Sequence, residues 1–306
     1  MQSISRPGSA SAFAMAAVCL AAFAGVAVSC EDSETFPAGI LISNEQELEV
    51  GTDVDFSIEK QFKIVDPSDP LTAWAVKLVT GLAEGAVPFR DPKEFNGWKV
   101  EVIADDELVN AFAAPGGFVY ISTGLILNAK KCGEIAGVLS HELAHVTERH
   151  GVKQLEKALI AQGLVELFVS NETAAKVIDI AVNVVLSTEF SRDAETQADS
   201  VGLQVAYNAN YNPYALVDFF AVLLAEEKKG GASVPEFLSS HPATEKRIAE
   251  ITAEIEKRYA DKADPGVTQT YDCLGTSLKL ADVQQLIKDK NYAVKMGTGT
   301  EPRKNP

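Results

Sequence analysis

His141-Glu142-Leu143-Ala144-His145 is the densest group of chemically capable residues in the chain. There are four histidines, and His141, His145 and His150 fall within ten residues of one another; the fourth is His241. In a helix, H-E-x-x-H sets its two imidazoles one turn and about 40° apart, so both can reach a single metal ion. Glu142, rotated about 100° from His141, stands where a carboxylate can hold a water beside that metal. This grouping points to a metal-bound water, the reactant of metal-assisted hydrolysis. His150 falls about 180° round from His141, which makes it a poor ligand and a better helix cap or structural hydrogen-bonding group.

Two imidazoles do not complete such a site; a catalytic zinc takes three protein ligands and keeps a fourth position open. A metzincin continuation would need glycine at position 148 and histidine at position 151. The chain has Glu148 and Gly151, so the third ligand must come from elsewhere. Ser191-Arg192-Asp193-Ala194-Glu195-Thr196-Gln197-Ala198-Asp199 supplies a candidate, because Glu195 and Asp199 share a helix face. Glu195 can bind zinc while Asp199 takes the outer N–H of a ligand histidine and fixes its tautomer. Alone, Glu195 would read as a solvated helix residue; the upstream motif changes that.

The elements that must hold these residues are mostly helical. Apolar residues at Leu71, Trp74, Ala75, Leu78, Val79 and Leu82 predict an amphipathic helix. Trp98 to Ile103 predicts a strand, and Val109 to Ala113 with Phe118 to Ser122 predicts a hairpin around Pro115-Gly116-Gly117. Helical windows follow at 123–131, 133–150, 154–169, 172–186, 193–206, 214–228 and 242–259, whereas 54–64 reads as a short alternating segment. The apolar windows at 154–169 and 172–186 carry polar interruptions that argue against membrane spans. The fold class expected is α+β, mainly α: a small β-sheet or hairpin over a helical core that carries the HEXXH motif.

Composition narrows the function further. Of 306 residues, 27 are Lys or Arg and 43 Asp or Glu, a net charge of −16 that disfavours nucleic acid as a partner. The four cysteines lack the paired spacing of a zinc ribbon. Ala12 to Val28 is a 17-residue apolar run after Arg6 and reads as a secretory signal, an uncleaved anchor helix being the alternative. Ala27-Val28-Ser29-Cys30 has the form of a bacterial lipobox, although Ala27 replaces the usual Leu. Lipidation at Cys30 would anchor the chain to a membrane; simple cleavage and release is the other outcome. The organisation expected is a lipoprotein-type signal at 1–29, an acidic tether and extension at 30–66, a metallopeptidase domain at 67–260 and a short tail at 261–306. Cys132 and Cys273 would then be the two thiols of an exported chain, where a pair tends to be bridged; two separate thiols, with Cys132 a buried apolar residue, is the other reading.

The order of motifs resembles the gluzincin metallopeptidases of the HtpX heat-shock protease and CAAX prenyl protease family, in particular its soluble periplasmic BepA/LoiP-like lipoprotein type. The resemblance rests on Asn110-Ala111-Phe112-Ala113 with Pro115-Gly116-Gly117, on Gly133 to His150, on Ser191 to Asp199, on Tyr211-Asn212-Pro213, and on Ser240-His241-Pro242 with Arg247. It implies one Zn2+ per chain on His141, His145 and Glu195, with Glu142 as general base. It also places His241 near the metal, as an oxyanion donor or as the fourth ligand of a resting state, a plain helix N-terminal residue being the alternative. Arg247 positions an active-site carboxylate or makes a surface salt bridge. Two features depart from the family. The long apolar spans of its membrane-embedded members are absent beyond the N-terminus, and the 47 residues after Tyr259 leave no room for a TPR module.

The function expected is that of a zinc metalloendopeptidase in envelope protein quality control, lipid-anchored on the periplasmic face of a bacterial membrane, the outer membrane. A strand around Asn110 to Ala113 can take an extended substrate by strand addition, which suits unfolded or misfolded protein. The competing reading is a catalytically weak, zinc-binding, chaperone-like envelope lipoprotein.

Overall fold

The computed structural model describes residues 41–165, 175–187, 189–228, 236–242, 245–259 and 272–292. The signal segment, Cys30 and the first part of the acidic tether lie outside them, as do residues 261–271 and 293–306 of the tail.

Helix α1 (Asn44–Gln61) opens on a capping box between Ser43 and Gln46. Helix α2 (Pro70–Ala86) starts where Asp69 caps Leu71 and Pro70 occupies the first turn. Three strands follow, β1 (Lys99–Ile103), β2 (Ala111–Ala114) and β3 (Phe118–Ser122), in the order β1-β3-β2. The predicted hairpin is β2 antiparallel to β3, and β1 joins the other side of β3 in parallel. Its turn carries Gly116 at φ 78° and Gly117 at φ 82°; a Cβ at Gly117 would lie 2.4 Å from Phe95 Cδ2.

Side chains along β3 alternate between two cores. Val119 and Ile121 join α2 and α4, whereas Phe118 and Tyr120 join α1, α5 and α6 on the opposite face. A strand buried on both faces reads as a continuous apolar run, as Phe118-Val119-Tyr120-Ile121 does. The remaining helices among the described residues are α3 (Thr123–Asn128), α4 (Cys132–Thr147), α5 (His150–Ala161), α6 (Ala175–Ser187), α7 (Arg192–Asn208), α8 (Ala215–Lys228), α9 (Glu236–Ser240), α10 (Glu245–Tyr259) and α11 (Leu280–Lys290). The fold is therefore mainly helical with one small sheet, as its composition and periodicity predict.

Helix α4 is buried along its whole length, the mark of a core helix. It lies between α2, α7 and α8. Two glycines permit close approach of α4 to α7 and to the start of α8. A Cβ on Gly202 of α7 would sit 2.9 Å from His141 Cα, and one on Gly137 of α4 would sit 2.6 Å from Leu216 N. The backbone of α7 thus runs directly against the metal-motif residue of α4.

Residues 272–292 strap the entry to α4. Cys132 and Cys273 form a disulfide with a Cα–Cα distance of 5.2 Å. The Leu274 amide donates to Tyr211 Oη at 2.9 Å, and Gln284 Nε2 donates to the carbonyls of Ile126 and Ala129. On α11, Val283 and Ile287 enter the main core.

Candidate metal centre

Four elements converge on one point. Helix α4 carries His141, Glu142 and His145, and α7 carries Glu195 and Asp199. His241 follows α9, and Arg247 lies on α10. Ser191 caps α7 by accepting from the Ala194 amide at 3.3 Å, which starts the helix one turn before Glu195. Glu195, Asp199 and Gly202 then fall on one stripe, within about 60° of each other, so the close approach at Gly202 also delivers both carboxylates.

The polar atoms meet at hydrogen-bond range. His145 Nε2 is 3.0 Å from His141 Nε2, and His141 Nε2 is 3.3 Å from His241 Nδ1. Glu195 Oε2 is 3.4 Å from His141 Nε2, while Glu195 Oε1 is 3.4 Å from His145 Nε2 and 2.8 Å from His241 Nδ1. All four residues are buried. Donors bound tetrahedrally at about 2.0–2.1 Å stand about 3.3 Å from one another, which is the spacing of this set. Three imidazole nitrogens and a carboxylate are ligands for a borderline divalent ion, so the residues fit a metal site.

Their electrostatics follow from burial and partners. Burial disfavours a protonated His141, yet Asp199 and Glu195 outweigh it and push its pKa up to about 9. Burial dominates at His145 and holds it well below its ordinary value. Burial pushes the Glu142 carboxyl up, opposed by the positive side chains around it. Glu195 goes the other way: burial is overcome by His241 and by hydrogen bonds from the three imidazoles, so the carboxylate stays ionised.

A second layer orders the first. His141 Nδ1 lies 3.0 Å from Asp199 Oδ1. Arg247 holds Asp199 through Nε at 2.5 Å and Nη2 at 2.8 Å, and reaches Glu195 Oε2 with Nη1 at 2.7 Å. Arg247 is buried and so is not a surface salt bridge. Glu142 is not in the donor set; its Oε1 is 3.4 Å from His241 Nε2.

Of the residues read as a substrate strand, Ala113 lines a small cleft with Ala114, Pro115, His145 and Phe190. Asn110 and Ala111 are buried, and Phe112 stacks on Tyr120 at 4.7 Å between ring centroids. β2 is one of the two edge strands of the sheet, the one next to this cleft. Phe190 carries no advance signal in the sequence, yet its ring lies 4.1 Å from that of His145 and 5.7 Å from that of His241. His150 is likewise closer to the centre than a regular helix allows, with Nδ1 3.0 Å from His145 Nδ1.

Comparison with known proteins agrees with this geometry. The model of peptidase family M48 matches residues 73–255. The mitochondrial metalloendopeptidase OMA1 of Saccharomyces cerevisiae is 32% identical over 231 residues, covering 71% of this chain and 66% of that protein. A putative beta-barrel assembly-enhancing protease of Vibrio cholerae is 31% identical over 156 residues, covering 47% and 32%. The beta-barrel assembly-enhancing protease of Escherichia coli is 29% identical over 263 residues, covering 81% and 50%. The chain thus spans between about a third and two thirds of the length of these relatives.

Proposed function

The chain belongs to peptidase family M48, and on that premise we propose that it is a zinc-dependent metalloendopeptidase acting on unfolded or misfolded proteins of a bacterial envelope. The observation that carries this reading is the buried set His141, His145, Glu195 and His241 at mutual ligand spacing, with Glu142 beside it but outside it. Within the family, the order of its motifs supports the HtpX and CAAX-protease branch and the soluble lipoprotein type. Relatives named as β-barrel-assembly-enhancing proteases support protein substrates.

His141, His145 and Glu195 hold the ion, Asp199 fixes the tautomer of His141, and Arg247 holds both carboxylates in place. Zinc, when bound, supplies Lewis acidity to the scissile carbonyl and to the attacking water. Glu142 takes the water proton and returns it to the leaving amine. Its burial keeps the carboxylate poorly solvated and therefore basic. The outer edge of β2, at Ala113 and Ala114, takes an extended segment through main-chain hydrogen bonds, which admits many sequences. We read His241, whose Nδ1 stands within the donor set, as the fourth ligand of a resting state that withdraws to admit water or substrate. His241 Nε2 lies 3.4 Å from Glu142 Oε1, beside the general base.

Metal analysis with a casein assay tests the reading. One zinc per chain is expected, with cleavage lost to a chelator and restored by zinc. Bound zinc without cleavage would leave a binding protein, and no bound metal would remove the site altogether. Lipidation at Cys30 belongs to the same proposal. No helix among the described residues is long and apolar enough to cross a membrane. In this proposal the acyl chains on Cys30 attach the chain to the membrane, and Cys30→Ser is expected to move the protein from the membrane to the soluble fraction. An unchanged fractionation would remove the anchor.

A further inference from the structure

The two histidines of the motif are held by different partners. His141 meets a carboxylate, Asp199, braced by a buried arginine. His145 meets an imidazole. Its Nδ1 lies 3.0 Å from His150 Nδ1; His150 Nε2 lies 3.1 Å from Gln197 Oε1, and Gln197 Nε2 donates to Glu148 Oε2.

Only one proton order satisfies this chain. The Glu148 carboxylate only accepts, so the Gln197 amide turns its NH2 toward Glu148 and its oxygen toward His150. His150 Nε2 must then carry hydrogen. With His145 Nε2 in the donor set, the hydrogen of that ring sits on Nδ1, and His150 Nδ1 must accept it.

The backbone is built to bring His150 there. Continued as one regular helix, α4 would turn residue 150 about 140° away from His145. Instead α4 stops at Thr147, Arg149 takes the left-handed conformation at φ 55°, and α5 restarts at His150. A non-glycine residue in that region is strained and needs support. Glu47 supplies it by accepting from Arg149 Nε at 2.9 Å, and the Ile42 carbonyl accepts from Arg149 Nη2 at 2.5 Å.

We propose that His150 is a positioning residue for the metal site: it accepts the outer N–H of His145, locks that ring with Nε2 toward the metal, and is itself ordered by Gln197 and Glu148. The inference rests on the metal reading and deepens it. The site then has one ligand histidine backed by a charged acceptor and one backed by a neutral relay that ends at the surface on Glu148.

Zinc affinity, measured by competition with a chromophoric chelator, tests this. His150→Phe fills the space and removes the acceptor; its affinity is expected to fall about 10–100-fold, as for loss of other outer partners of ligand histidines. His150→Asn places an oxygen where Nδ1 was and is expected to recover most of the loss. Gln197→Leu, at an exposed position that folding tolerates, is expected to weaken zinc by a smaller factor in the same direction. Wild-type affinity in His150→Phe, or equal losses in His150→Phe and His150→Asn, would overturn the proposal. If His150→Phe does not fold, Gln197→Leu decides, and unchanged affinity there overturns it. Wild-type protein that binds no zinc would instead defeat the metal reading itself.

Discussion

Glu142→Gln is expected to lower peptide hydrolysis by about 10²–10⁴-fold while leaving one zinc per chain. The two outcomes separate because Glu142 borders the donor set without entering it. Its Oε1 lies 3.4 Å from His241 Nε2, and the donor atoms placed to hold an ion belong to His141, His145, Glu195 and His241. Glutamine has the same shape and keeps the packing of a residue that is only 2% exposed. It cannot take a proton from water at neutral pH, so the step lost is proton transfer and not substrate binding. KM should therefore change far less than kcat. Turnover within a few-fold of wild type would show that another group is the base, and loss of zinc would show that Glu142 holds the ion. An unchanged melting temperature in the zinc-loaded protein guards against a folding defect.

The core of this site was legible because its residues sit at helical spacing on well-marked elements. HEXXH lies in a helix, and the α7 pair Glu195 and Asp199 follows a Ser191 cap. The β3 run alternates between two buried faces, which the apolar pattern of a short strand also signals. What the sequence hid has specific causes. Residues 54–64 look alternating because Val54, Phe56 and Ile58 stand two apart, yet Phe56 is 44% exposed and the true core positions are Val50, Val54 and Ile58 at helical spacing. An ideal helix wheel turns His150 away from the site, and the wheel fails at Arg149, where the turn is left-handed without the glycine that usually announces one. The parallel pairing of β1 with β3 joins segments with a different strand between them, so no local turn records it. Gly202 reads as a weak point in a helix until His141 is seen against it, where its missing side chain is the requirement.

Glu195→Ala is expected to lose both metal and activity, with zinc affinity down by more than the about 100-fold that bounds a typical outer-partner substitution. Glu195 has a double role. Its two oxygens lie 3.4 Å from His141 Nε2 and from His145 Nε2, so its removal takes an anionic ligand from the centre. It also leaves Arg247 Nη1 without the carboxylate now 2.7 Å away, although Asp199 still holds the other end of the guanidinium. That guanidinium reaches within 3.4 Å of His141 Nε2, so a positive group with less compensation would face the position of a divalent cation. Coulomb repulsion and the lost ligand act in the same direction. The fold itself should survive: alanine suits the first turns of a helix, and the Ser191 cap on Ala194 does not involve the substituted side chain. Glu195→Gln separates the two roles, since it keeps an oxygen near both imidazoles and removes only the charge; an intermediate zinc affinity is expected. If Glu195→Ala keeps one zinc at wild-type affinity, Glu195 is not a ligand. The centre would then be held by His141, His145 and His241.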